Sequence, residues 1–355
     1  SEEKKQYSRH FILNEIGISG QEKLKKAKIL VIGAGGLGCP VLQYLTAAGI
    51  GTIGIIDNDT VTQSNLQRQI LFTYNDIGKP KVLCAKKRLE QINPFIKFNT
   101  YQVYLNSENA LDLFEQYDII VDGSDNFQTR YLTNDAAVLS NKPLVFGAIF
   151  KFEGQISVFN YKNGPTYRCL FPEPPKANSI PNCSDIGVMG VLPGIVGCYQ
   201  ANEVIKIICG IGEVLSGKLL SLNTLNLQQN LLNFKKNNTI QINKLIDYAI
   251  FCGTEDKYLE IDSVELKEKL VLENIVLIDV RKTMEREHFN IGGLHIPLHQ
   301  LQQKLEELKE ADNIVFYCQV GQRSLLASKI LKEKYPNKKS YSLKGGITSW
   351  IETYS

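Results

Sequence analysis

A run of glycines set between an apolar strand and a helix limits this chain more than any other feature. Gly33-Ala34-Gly35-Gly36-Leu37-Gly38 follows KILVIG (28–33) and opens a helical stretch from Leu37 to Ala48. Glycines there permit a tight turn and a close backbone approach to a ligand. The helix N-terminus turns free N–H groups towards a phosphate. Asp57 closes the next strand, GTIGIID (51–57), 19 residues after Gly38, where a carboxylate meets a ribose hydroxyl. Taken alone, the fingerprint specifies a dinucleotide and makes a nicotinamide-dependent oxidoreductase the default reading.

The surrounding pattern is that of a doubly wound α/β sheet. Continuous apolar runs at 117–123 and 143–149 alternate with helical stretches such as 80–93, and strands of this kind belong to a parallel sheet covered on both faces. Residues 154–160 alternate and predict an added antiparallel strand. Residues 164–187 are rich in proline, glycine and small polar residues and predict a long loop. A buried helix follows over 188–209, interrupted near Pro193. A second strand and helix series starts after Asp256-Lys257, with IVLIDV (275–280), IVFYC (314–318) and a helix over 323–334. The expected organisation is a first domain over 1–250, a linker over 251–257 and a smaller α/β domain over 258–355, and 355 residues suit two domains.

Composition excludes several classes. Charged residues make up 22% and net charge is +3, so there is no basic stripe for a nucleic acid. No apolar run reaches the ~18 residues a membrane span needs. The N-terminus, SEEKKQYSRH, lacks the apolar core of a signal peptide. The expectation is a soluble, cytoplasmic chain without a membrane or nucleic-acid partner. Eight cysteines without paired spacing argue against a disulfide framework.

The motifs after the glycine run point away from a dinucleotide. Asp57-Asn58-Asp59 precedes Asn65-Leu66-Gln67-Arg68-Gln69, then Gly78-Lys79-Pro80-Lys81, then Ser124-Asp125-Asn126 with Arg130 a helical turn on. A bridging pyrophosphate needs no such set of cations. A triphosphate needs them, together with a carboxylate-held metal, because charge must be neutralised while an anion attacks. Together with Tyr7-Ser8-Arg9, Gly20-Gln21 and GVMGVLPGIVG (187–197), these pieces resemble the MoeB/ThiF family, bacterial relatives of ubiquitin-activating enzymes, over about residues 6–250. The resemblance implies an adenylyltransferase that uses ATP and Mg²⁺ on the C-terminal carboxylate of a ubiquitin-like sulfur-carrier protein ending in Gly-Gly. It implies nucleotide contacts from Gly33, Gly35, Gly36, Gly38, Asp57, Asp59, Asn65, Arg68, Lys81, Asp125 and Asn126. Asp125 would hold Mg²⁺, and Arg9 would reach the neighbouring subunit's ATP across a homodimer interface. Read singly, Arg9 is a surface residue, Asp125 a helix cap and Arg130 the partner of a carboxylate.

Cys318 follows the strand IVFYC and precedes a helix, in Cys318-Gln319-Val320-Gly321-Gln322-Arg323-Ser324. A loop there aims backbone N–H groups at the sulfur, and the helix dipole and Arg323 favour a thiolate or persulfide. With Leu277-Ile278-Asp279-Val280-Arg281, His295-Ile296-Pro297-Leu298 and Leu343-Lys344-Gly345-Gly346-Ile347, this segment resembles the rhodaneses. The resemblance implies a sulfurtransferase loop including Gly321, Arg323 and Ser324, fed by thiosulfate or a desulfurase persulfide. Cys183 is either a nucleophile towards the activated carrier or a packing thiol. Many family members hold zinc with two C-x-x-C pairs. Here Thr166 and Ala249 stand where the first cysteine of each pair would be, leaving Cys169 and Cys252, and two thiolates do not complete a tetrahedral site. No zinc is expected.

The pathway stays open between carriers for molybdopterin, favoured by the two-domain order, for thiamin and for tRNA thiolation. Two rivals of other classes remain: the nicotinamide oxidoreductase and a non-catalytic interaction protein that keeps the fold.

Overall fold

The computed structural model describes residues 2–175, 187–252, 259–272, 275–335 and 338–354. The chain divides into two compact units, Ser1–Thr254 and Glu255–Ser355. Phe251 and Cys252, expected in the linker, end a helical turn that packs into the first unit's core. Residues 253–257 of that expected linker lie outside the described residues.

The first unit is built on β1 (Lys28–Ile32), β2 (Thr52–Ile56), β3 (Lys97–Tyr101), β4 (Ile119–Asp122), β5 (Leu144–Phe150), β6 (Glu153–Phe159), β7 (Lys218–Asn223) and β8 (Gln229–Asn233). They form one sheet in the order β3-β2-β1-β4-β5-β6-β7-β8. Neighbours from β3 to β5 run parallel and those from β5 to β8 antiparallel. Side chains alternate between faces along a strand, so each apolar strand feeds two cores. Ile29, Val31, Ile53, Ile55, Ile119 and Val121 enter one of them. Leu30, Ile32, Ile56 and Ile120 enter the other. Burial on both faces is why these strands read as unbroken apolar runs. Chain order reverses at β1, which lies between β2 and β4, and the strand ends splay there into the crevice where α/β sheets take ligands.

The helix Val191–Cys209 runs unbroken through Pro193. A proline is accepted there because the first N–H groups of a helix have no partner within it, so the expected interruption is a helix start. The segment expected to be a loop holds a helical turn, Tyr167–Leu170; residues 176–186, with Cys183, lie outside the described residues. The strands β3, β7 and β8 were not anticipated, and β8 is exposed along its whole length.

A buried ion pair joins three segments of this unit. Arg168 donates from Nε and Nη2 to Asp135 at 2.8 and 2.7 Å, and the Tyr248 hydroxyl donates to Asp135 Oδ2 at 2.7 Å. The guanidinium also lies over the rings of Tyr131 and Phe251. Beside it, Cys169 and Cys252 are free thiols. Thr166 Oγ1 lies 3.4 Å from Cys169 Sγ, and Asn237 N donates to that sulfur at 3.3 Å. Burial pushes the Cys252 thiol up to about 11.

The second unit is a parallel five-stranded sheet in the order β11-β10-β12-β13-β9, from β9 (Leu259–Ile261), β10 (Val276–Asp279), β11 (Leu294–His295), β12 (Asn313–Tyr317) and β13 (Lys339–Leu343). Ile314 and Phe316 of β12 enter one core, Val315 and Tyr317 the other.

Removing one partner from a buried ion pair strands the other charge. Asp135→Ala should therefore cost the first unit about 3–5 kcal/mol, measured as a loss of unfolding free energy in urea.

Candidate functional site

The crevice at the β1/β4 reversal is a pocket walled by Gly33, Gly35 and Gly36 below and by Asp57, Arg68 and Lys81 at the side. Two glycines of this turn are sterically required. Gly33 has a φ of +87°, and a Cβ on Gly38 would stand 1.9 Å from the Gly33 carbonyl oxygen. That contact lets the helix Gly38–Ala48 start hard against β1 with its N-terminus towards the pocket.

Asp57 braces the glycine turn. Its Oδ2 accepts from Ala34 N and its Oδ1 from Asp59 N, each at 2.8 Å. Burial pushes this carboxyl up, against the pull of Lys81 and the two amides. Lys81, 5% exposed, opens the helix Lys81–Ile92 and pairs with Asp59 at 2.8 Å. Arg68 donates from Nη1 to the Ser64 carbonyl and is held on the wall.

Asp125 and Asn126 also line the pocket, past the end of β4. Asn126 caps the helix Phe127–Leu139, its Oδ1 accepting from Thr129 N at 2.9 Å. Asp125 is exposed and takes no hydrogen bond or ion pair from the described residues. Of the other expected residues, Asn65 is off the wall and accepts from Thr62 N at 3.2 Å, closing its own turn. Arg9 is exposed on the short helix Ser8–Phe11 and is also off the wall.

Sequence reasoning left some wall residues unassigned. Val103, Tyr104 and Leu105 follow β3 and line the pocket, with nothing in their residue types to announce it. Gln69 lines it too, 4% exposed, with Oε1 lacking a partner among the described residues. Its place in the Asn65–Gln69 motif was the available signal.

In the second unit Cys318 follows β12, 1% exposed. Gly321, with a φ of +96°, bends the loop back and donates its N–H to Cys318 Sγ at 3.2 Å; the Ser324 hydroxyl lies 3.6 Å from the same sulfur. Burial opposes a thiolate here. Hydrogen bonds from the Ser324 side chain and from the Ser324, Val320 and Gly321 amides outweigh it and hold the thiol below its ordinary value. Arg323 forks onto Glu285 at 2.8 and 2.7 Å. That bond leads the causes that hold the Glu285 carboxyl at about 2.

A family model described as the ThiF family matches residues 7–242, about two thirds of the chain. The chain belongs to the ThiF family. A rhodanese-like domain model matches residues 262–353. The "Probable adenylyltransferase/sulfurtransferase MoeZ" of Mycobacterium tuberculosis is 42% identical over 99% of this chain and 93% of its own length. The "Sulfur carrier protein adenylyltransferase" of Thermus thermophilus is 49% identical over 71% of this chain and 97% of its own length. Among solved structures, E. coli MccB with ATP superposes with a TM-score of 0.58 at 24% identity, over 67% of this chain and 73% of that one, a likeness of fold. This ThiF-family chain is an enzyme of the adenylyltransferase and sulfurtransferase type, which sets aside the oxidoreductase and the interaction protein.

Removing the Ser324 hydroxyl should raise the Cys318 thiol pKa. The midpoint of the alkylation rate against pH is expected to move to higher pH in Ser324→Ala. The thiolate then appears only at higher pH than in the parent chain.

Proposed function

We propose that this enzyme adenylates the C-terminal carboxylate of a ubiquitin-like sulfur-carrier protein ending in Gly-Gly and then exchanges AMP for sulfur carried on Cys318. The observation that carries this reading is the pocket at the β1/β4 reversal. It gathers a helix N-terminus, Arg68, Lys81 and the exposed carboxylate of Asp125 around one cavity.

Use of ATP follows from the family. In the proposed first step the carrier carboxylate attacks the α-phosphorus and pyrophosphate leaves. Arg68 and Lys81 stabilise the charge that builds on the phosphates, and fixed dipoles do so without reorganising during the reaction. Asp57 holds the ribose. Asp59 keeps Lys81 in place. Asp125 fits Mg²⁺, because it is an exposed oxygen donor that takes no bond from the described residues. When bound there, Mg²⁺ would neutralise phosphate charge. Arg9 acts on a second copy's nucleotide in a homodimer.

In the second step the terminal sulfur of a Cys318 persulfide attacks the acyl carbon and AMP leaves. A reductant thiol then takes the Cys318 sulfur, and Cys183 keeps the role its sequence position suggests, a nucleophile towards the activated carrier. The carrier thiocarboxylate departs, and a disulfide remains for a thiol reductant. Fusion of the two domains raises the effective concentration of persulfide near the adenylate. The donor is thiosulfate or a desulfurase persulfide, and the setting is the cytoplasm. The product would serve molybdopterin synthesis, a choice supported by a relative in Porphyra purpurea named "Probable molybdopterin-synthase adenylyltransferase", 42% identical over 98% of this chain.

The test is the intact mass of candidate carriers for molybdopterin, thiamin and tRNA thiolation, after incubation with the enzyme, Mg²⁺-ATP and a sulfur donor. Replacement of one oxygen by sulfur on the molybdopterin carrier, abolished in Cys318→Ala while pyrophosphate release persists, is the expected outcome. Sulfur transfer that survives Cys318→Ala would remove the thiol loop from the mechanism.

A further inference from the structure

A metal-holding carboxylate must be kept from neighbouring cations, and Asp125 has one close by. Arg130 lies in the first turn of the helix that Asn126 caps, five residues after Asp125, and both line the same pocket. A guanidinium is always charged and matches a carboxylate with paired N–H groups. Asp125 nonetheless takes no hydrogen bond or ion pair from the described residues.

What holds Arg130 elsewhere is visible. Asp122, at the end of β4, is wholly buried. Its Oδ1 accepts from Ser124 N at 2.9 Å and from Ser124 Oγ at 2.6 Å. Its Oδ2 has no hydrogen-bond partner among the described residues and faces Arg130 Nε, which has none there either, across 4.0 Å. Arg130 Nη2 reaches the Ser124 carbonyl at 3.5 Å, and the guanidinium packs over the rings of Phe127 and Phe146. A buried carboxylate with an unfilled oxygen attracts a cation strongly, because little solvent screens it. Two ring faces add cation–π attraction and fix the plane.

We infer that Asp122 is a positioning residue that captures the Arg130 guanidinium beneath the loop 123–126 and so leaves the Asp125 carboxylate free for a divalent cation. The inference rests on the reading of Asp125 as the metal carboxylate. Without the Asp122 charge, Arg130 swings to the next carboxylate, Asp125, and competes with the metal.

The test is calorimetric titration of the full chain with an α,β-methylene analogue of ATP, with and without Mn²⁺. The quantity read is the factor by which Mn²⁺ tightens the analogue. Asp122→Asn should cut that factor at least fivefold. Adding Arg130→Gln to Asp122→Asn should restore it to within twofold of the parent, which loss of a merely structural contact would not do. Arg130→Gln alone should keep the factor and lower the thermal midpoint, and it carries the test if Asp122→Asn does not fold. An unchanged factor in Asp122→Asn, no recovery in the double variant, or a lost factor in Arg130→Gln would each overturn the inference. Asp125→Asn separates the two levels. If it keeps the full factor, the metal reading falls and the inference with it. If it loses the factor while Asp122→Asn keeps it, the inference alone falls.

Discussion

Everything in the first unit is arranged around a place where backbone meets backbone with no room for a side chain. A Cβ on Gly38 would collide with the Gly33 carbonyl, and one on Gly123 would come within 2.9 Å of the Ile32 carbonyl oxygen. Those contacts let the ends of β1 and β4 and the start of a helix converge on one point. Convergence opens a crevice floored by the glycine turn and the start of a helix, and the chain can then place charged groups on the walls. Asp57 adds the brace, accepting an amide from the glycine turn and another from the Asp57–Asp59 bend.

The charges around both sites are largely compensated. Lys81 is matched by Asp59, Arg130 is balanced by Asp122, and Arg323 is forked onto Glu285. Preset pairs cost desolvation when built, but they fix the direction of each group before a substrate arrives. Asp125 and Cys318 are the exceptions in character. The one is an exposed carboxylate free of partners among the described residues, and the other a buried sulfur supplied with donors. These are the two groups whose proposed work requires a changing partner.

The sheet was legible in the sequence because strands buried on both faces carry continuous apolar runs, and β1, β2, β4 and β5 do, apart from Lys28, Thr52 and Asp122 at strand ends. The edge was not. β8, QNLLN, buries none of its residues and leaves no pattern to read. Pro193 misled by residue type, since a proline looks like a break until the helix start is known. The glycines, Asp57, Arg68, Lys81 and Asp125 were readable because steric need and charge restrict residue choice. Val103, Tyr104 and Leu105 were not, because lining a pocket with ordinary side chains demands nothing unusual of them.

The Ser324 hydroxyl has a consequence for how the second unit registers its own chemical state. That oxygen lies 2.9 Å from the Gly321 carbonyl, 2.8 Å from the Ser342 hydroxyl and 3.6 Å from Cys318 Sγ. It has one proton to give. Over a neutral thiol the proton goes to an oxygen, the stronger acceptor. Over an anionic sulfur it turns to the sulfur, and Ser342 donates to the vacated oxygen. A change of charge on the sulfur can therefore be met by turning two hydroxyls, Ser342 Oγ lying 3.4 Å from the Gly321 carbonyl.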